Sequence, residues 1–432
     1  MITIIGAGLA GCECAYQLIS RGIAVTLVEM KPHKRTPAHK SDAFGELVCS
    51  NSLRGNGLTQ AAGLLKAEMR ELNSLILQAA DAHRVRAGGA LAVERGAFAD
   101  HITAVMESSP LVTIRREEAT EIPSEGTVVV ATGPLTSDAL AADIARLTGA
   151  EFLSFYDAAA PILSADSIDL EVAYLGDRYG QGVDGGDYLN CPMNKEEYLA
   201  FRAALAEAEQ APVHGFEDTK VFEGCMPVEV LARRGEDTLR FGPLKPIGLR
   251  DPRTGQGAYA VVQLRRENDE GTMFNIVGFQ NHLTFGEQKR VFTMIPALKN
   301  AEFLRYGVMH RNTFINSPRL LNEAYQLIGE PRIYFAGQLT GVEGYVESAA
   351  SGLTVGLGIA FGKPLKLPPQ TAIGALSRHV SANEGLNDFQ PMNINFGILP
   401  KLDYHVKDKR ERYAIVAKNA LDALNDWKKE NL

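Results

Sequence analysis

Six residues near the start restrict the fold more than any other stretch. Gly6-Ala7-Gly8-Leu9-Ala10-Gly11 directly follows a short β-branched run, Ile2 to Ile5. A helical stretch from Cys12 to Ser20 comes next, Arg21-Gly22 ends it, and Ile23 to Val28 reads as a second strand with Glu29 at its tip. Gly-x-Gly-x-x-Gly in such a frame is the phosphate turn of a doubly wound α/β sheet. Gly6 makes the tight turn, and Ala7 continues it. Gly8 lets a pyrophosphate approach the backbone, and Gly11 lets helix and strand pack closely. Free N–H groups and the dipole at the helix start attract phosphate oxygens. Glu29 fits as the acceptor for a ribose hydroxyl. A purely structural glycine turn would not need that acid.

Two later segments extend this reading. "GTVVVATGPL" (126–135) is a β-run ending in Ala131-Thr132-Gly133. "RIYFAGQLTGVEGYVESAASGLTVGLGIAFG" (332–362) is a strand, then Gly337, a loop with Gly341 and Gly344, then a helix of small residues. With the N-terminal turn, these resemble the two-part FAD site of glutathione-reductase-like flavoproteins. The resemblance implies an α/β Rossmann FAD-binding domain, split in sequence into residues 1–150 and 325–432. It also implies that the last helix aims its N-terminus at the flavin. Gln338 stands where that family usually has an acid. Residues 151–324 then form an inserted α+β domain, with strands over 258–264 and 274–279 and a helix over 195–209. The final helix runs from Lys409 to about Lys429, with Tyr413, Val416, Leu421 and Leu424 as a partial apolar stripe. With no second framed glycine motif, NAD(P)H has no domain of its own and visits an open face of the flavin.

Five cysteines, Cys12, Cys14, Cys49, Cys191 and Cys225, show no regular spacing. That pattern argues against a disulfide framework and for a reducing compartment. The chain begins in a strand-like run without a signal peptide, and no window reaches the length of a membrane span. The expected setting is the cytoplasm. Cys12-Glu13-Cys14 is too tight for a zinc pair and has no second pair to join it, so no metal site is expected.

Several long runs carry a sharper resemblance: "LVCSNSLRG" (47–55), "NCPMNKEEY" (190–198), "FEGCMPVEVLARRGEDTLRFGPLKPIGLRDPRTG" (222–255), "VGFQNHLTFGEQKRVFTMIPALKNAEFLRYGVMHRNTFINSP" (277–318) and "PMNINFGILP" (391–400). Over nearly the whole chain these are similar to the folate- and FAD-dependent tRNA (uracil-5-)-methyltransferases. The resemblance implies methylation of the T-loop uridine of tRNA. Carbon would come from 5,10-methylenetetrahydrofolate and electrons from NAD(P)H through FAD. A flavoprotein relative that modifies wobble uridines does not share these runs. A rival within flavin chemistry is a thiol/disulfide oxidoreductase using Cys49 and Cys225.

Uracil C5 is a poor nucleophile until a thiolate adds at C6, so this chemistry needs an activated cysteine and a group to take the C5 proton. The resemblance places catalytic thiols at Cys225 and Cys49. Cys225, between Gly224 and Met226-Pro227, is read as the nucleophile, and Cys49 as the C5 base or a shield for the flavin, with the exchange of the two roles as the alternative. Cys191, before a proline at a helix start, reads as a capping position, and Cys12 and Cys14 as core. Glu343 and Glu347 read as solvated or capping. His282, His310 and Arg311 are candidates for folate or uracil contacts.

The chain's net charge of −8 gives no sign of a polyanion partner. Residues 220–320, however, carry fifteen Lys and Arg against ten Asp and Glu. Arg233-Arg234, Arg265-Arg266 and Lys289-Arg290 are the densest pairs, and a second cluster with Tyr404 lies at 401–412. These are the expected places for the T-arm of tRNA, whose target base must be exposed. A monomer or weak homo-oligomer is expected.

Overall fold

The computed structural model describes residues 1–36, 38–149, 153–158, 160–178, 186–211, 226–268, 270–307, 309–381, 389 and 391–431. Five parallel strands form the first sheet, in the order Ile333–Phe335, Thr127–Val130, Ile2–Ile5, Val25–Glu29, Val112–Arg116. A strand from late in the chain thus completes a sheet begun at residue 2. The central runs "ITII" and "TVVV" are β-branched, and these and the edge run "IYF" are largely apolar, because strands covered on both faces have no solvent side to serve. Val128, Val129, Val130, Ile333 and Phe335 are all fully buried.

Two helices meet over this sheet, Leu9–Ile19 and Tyr345–Ala360. Their approach depends on absent side chains. A Cβ on Gly352 would lie 2.1 Å from the Ala10 carbonyl oxygen, and one on Gly356 would lie 2.8 Å from that of Cys14. Backbone cannot yield as a flexible side chain can. Gly352→Ala is therefore expected to cost about 1–3 kcal/mol through overpacking, despite the better helix propensity of alanine. Urea unfolding of the two proteins checks this, and an unchanged midpoint would contradict it.

A second sheet has six antiparallel strands, in the order Tyr174–Gly176, Tyr188–Met193, Ala260–Arg266, Met273–Ile276, Ile162–Ser164, Phe303–Arg305. Its core, including Leu163, Phe201, Val262, Phe279 and Phe292, is separate from the core over the parallel sheet. The chain passes between them twice, and the two passages, Leu153–Ala158 and Met309–Phe314, pair as an antiparallel ribbon. Described residues from Phe314 to Trp427 rejoin the first core. A small sheet of Ser52–Gly55, Ala90–Val93 and Arg84–Val85 follows the Cys49 loop.

Two expectations, at Cys191 and Glu347, need correction. Cys191 does not cap a helix: it is buried mid-strand, paired with Val262, and burial drives its thiol pKa well up. The cap is Asn194, which accepts from the Glu197 N–H at 2.9 Å while Glu197 accepts from the Asn194 N–H at 2.8 Å, a capping box. The last helix, Lys409–Asn431, carries the expected partial stripe: Leu424 is buried, Val416 and Leu421 pack against the core and Tyr413 stacks on Phe396, with Ala417, Ala420 and Trp427 buried beside them. Glu347 is fully buried, not solvated.

Candidate functional site

A cleft opens where the ends of the parallel strands meet the two helix starts. It is lined by Gly6, Ala7, Gly8, Glu29, Ala131, Thr132, Gly133, Gly337, Gln338, Tyr345 and Ser348, among others. The three glycine-bearing segments therefore share one wall. Gly11 and Gly344 do not line it: Gly11 packs on Gly6, and Gly344 lies beside Glu347 and Asn393.

Each glycine has a distinct steric reason. A Cβ on Gly6 would lie 2.5 Å from the Ala131 carbonyl oxygen, and one on Gly11 would lie 1.9 Å from that of Gly6. A Cβ on Gly8 would meet nothing within 4 Å, because that position faces the open cleft. The helix from Leu9 has no side-chain cap, so its first N–H groups remain for an anion. Glu29 is buried, and its carboxylate accepts from the N–H of Ala7 at 2.9 Å and of Lys31 at 3.0 Å. Each oxygen retains a lone pair for a ribose hydroxyl. On the far wall Gln338 donates to Glu343 at 2.7 Å. Glu343 is thus buried and engaged by Gln338, not solvated. Phosphate cradle, acid and open glycine fit the dinucleotide half of FAD.

The Cys49 loop borders this cleft through Val48. Tyr345, in the first turn of the late helix, accepts from the N–H of Cys49 at 2.6 Å and of Ser50 at 3.2 Å. Burial pushes its phenol pKa well up. Arg95 donates to the Leu47 carbonyl at 2.7 Å and to that of Cys49 at 3.3 Å. It also pairs with Glu267 at 2.6 Å. Arg265 donates to Asn51 at 2.9 Å and to Ser50 at 2.6 Å, and Arg305 donates to the Val48 carbonyl. Arg265 is therefore not part of an exposed basic pair. It is 7% exposed and serves this loop. Sequence reasoning misses Arg95 and Arg305 at this site: Arg95 lies in none of the family-like runs, and Arg305 lies within the run 277–318 with no local signal that it crosses to the Cys49 loop.

The other predicted positions are dispersed. Cys225 lies outside the described residues, and no side-chain placement is described for His310 or Arg311. His282 is half-buried, with its backbone N–H on Glu229 at 2.9 Å, and burial lowers its pKa. Arg233 donates to the Ala206 carbonyl at 2.8 Å, and Arg290 pairs with Glu287 at 2.6 Å. In the 401–412 cluster Tyr404 is 60% exposed.

Behind the cleft, Lys66 is fully buried and donates to the carbonyls of Leu53 and Gly55, both at 2.8 Å. Burial, then the charge of Arg54, pushes its pKa down to about 7. An unfolded lysine titrates near ~10.4, so the unfolded chain binds more protons between those values and stability rises with pH across that window. Lys66→Met is expected to flatten the rise by up to a few kcal/mol. Urea unfolding at about pH 7 and about pH 10 checks this, and parallel slopes for the two proteins would contradict it.

A family model described as "Glucose inhibited division protein A" matches residues 1–363. The "Methylenetetrahydrofolate--tRNA-(uracil-5-)-methyltransferase TrmFO" of Staphylococcus aureus (strain JH9) is 56% identical over 432 residues, covering 99% of each chain. Two crystal forms of Aquifex aeolicus GidA share the fold. Form II has a TM-score of 0.71 at 17% identity, covering 99% of this chain and 73% of that one. Form I has 0.69 at 16%, covering 98% and 76%. With a match over more than half its length and a full-length relative at this identity, the chain belongs to the glucose inhibited division protein A family, alongside the methylenetetrahydrofolate--tRNA-(uracil-5-)-methyltransferases.

Proposed function

We propose that this protein is a tRNA methyltransferase that forms 5-methyluridine at the T-loop uridine, with carbon from 5,10-methylenetetrahydrofolate and electrons from NAD(P)H through FAD. The observation that carries this reading is the 56% identity to a methyltransferase of that name over 99% of both chains. The cleft supports it, because its residues fit the dinucleotide part of FAD.

The phosphate turn from Gly6 to Gly11, Glu29, Ala131 to Gly133, and the segment with Gly337, Gln338 and Gly344 would hold the cofactor. FAD, when bound, supplies the passage of electrons from NAD(P)H and of the one-carbon unit from folate to the base. The chain's own part is to activate the pyrimidine. In this reading the Cys225 thiolate bonds to uracil C6, and the electron pair of the C5–C6 double bond moves to C5 and its carbonyl. C5 then attacks the one-carbon unit. Cys49 takes the C5 proton as the one-carbon unit parts from its carrier, which leaves a methylene on C5; a hydride equivalent drawn from NAD(P)H then adds to that methylene, the C5–C6 double bond re-forms, and the C6–S bond breaks to return the thiolate. Residues 151–324 form the unit that presents the tRNA.

The reading is tested with FAD-loaded protein, unmodified tRNA, methylenetetrahydrofolate and NADPH. Digestion of the tRNA is expected to yield 5-methyluridine from the T-loop. An unaltered T-loop would overturn the reading.

A further inference from the structure

Every residue of the loop 47–51 is held by a side chain from outside it, and the holders are mostly guanidinium groups. Arg95 takes the carbonyls of Leu47 and Cys49, Arg305 takes that of Val48, and Arg265 takes the side chains of Ser50 and Asn51. Asn51 in turn donates to the carbonyls of Val93 at 3.1 Å and Arg266 at 2.9 Å. Three arginines thus serve five consecutive residues.

The three arginines come from both sides of the molecule's two cores. Arg95 opens the helix Arg95–Ser108, over the parallel sheet. Arg265 and Arg305 lie on strands of the six-stranded antiparallel sheet. Glu267, just beyond one of those strands, pairs with Arg95 across the junction and is 3% exposed. The loop takes this form only where the two cores meet.

Cys49 lies within electrostatic reach of Arg95, Arg265, Arg305 and Tyr345. Glu267 acts on the same three arginines, and Tyr188 faces Arg265. One carboxylate thus stands against three cations. Burial disfavours the charge of Arg265 and Arg305, and the fold bears that cost at this loop. Carbonyls alone could be held by neutral amides. Cations beside a thiol favour its anionic, nucleophilic form.

We propose that Arg95, Arg265 and Arg305 are positioning residues that hold the Cys49 loop against the cleft and set the reactivity of its thiol. The inference rests on the reading of Cys49 as a working thiol in the proposed function. It makes that thiol responsive to how the two cores dock.

The test uses the full-length, FAD-loaded protein and iodoacetamide, with the Cys49 peptide followed by mass spectrometry. The readout is the ratio of the alkylation rate near neutral pH to that at high pH, where every thiol is ionised. The ratio cancels differences in access. Arg305→Gln is expected to lower it about tenfold, the effect of one nearby cation. Arg305→Lys, which keeps the charge, is expected to stay within about twofold of wild type. Glu267→Gln, which removes the opposing anion, is expected to raise it. A wild-type ratio in FAD-loaded Arg305→Gln would overturn the proposal. If that variant holds no flavin, an unchanged ratio in Glu267→Gln would do so. The assay needs neither tRNA nor folate, so a failure to make 5-methyluridine would strike the functional reading and leave this result standing.

Discussion

Cys225→Ala protein is expected to keep its flavin spectrum and to lose 5-methyluridine formation by roughly 10³-fold or more, the scale seen when a covalent nucleophile is removed. Without sulfur at C6, C5 has no electron density to offer. The same variant is expected to form no covalent adduct with T-loop RNA carrying 5-fluorouridine, in which fluorine replaces the proton that must leave. Cys49→Ala is also expected to be inactive but to retain the adduct, because a missing base blocks only a later step. Gel shift under denaturing conditions separates the two. An adduct kept by Cys225→Ala and lost by Cys49→Ala would exchange their roles.

Arg54→Ala is the second large effect. Arg54 ion-pairs with Glu347, which is fully buried in the first turn of the late helix and also accepts from the Ile394 N–H at 2.8 Å. Removing the arginine leaves a buried carboxylate without its cation. Loss of one partner from a buried pair costs several kcal/mol, and the partial exposure of Arg54 reduces this to about 2–3 kcal/mol. Glu347 lies two residues from Tyr345 and next to Ser348, both of which line the cleft. Flavin retention is therefore expected to fall along with the urea midpoint. A variant with wild-type midpoint and full flavin content would show the pair to be incidental. Arg54→Ala with Glu347→Gln is expected to recover part of the stability, since the second change removes the stranded charge.

What the sequence disclosed and what it hid divide along physical lines. The first strand, turn and helix were legible because glycine spacing, a β-branched run and a terminal acid are local signals. Their frame matches the observed strands Ile2–Ile5 and Val25–Glu29. The return of residues 333–335 to the same sheet was legible only through the likeness of "FAGQLTG" to a flavin-binding segment. The arginine contacts around Cys49 were not legible. Arg265 reads as half of a basic pair, and nothing nearby says that it crosses to residues more than two hundred positions away. Lys66 gives no warning either, since a lysine in a helix is normally solvated and this one is enclosed by the folding of Ser52–Gly55 over it. Gly352 and Gly356 were visible as small residues, but which helix they admit depends on the sheet order. Cys191 was misread because Pro192 suggests a helix start, whereas it occupies a strand position opposite Val261.

The origin of the methyl carbon tests the account most directly. FAD-loaded protein is incubated with unmodified tRNA, NADPH and methylenetetrahydrofolate labelled in its one-carbon unit, and in parallel with labelled S-adenosylmethionine. The account predicts label on C5 of the T-loop uridine from the folate alone, at one label per tRNA. Label arriving from S-adenosylmethionine, or none arriving from the folate, would contradict it.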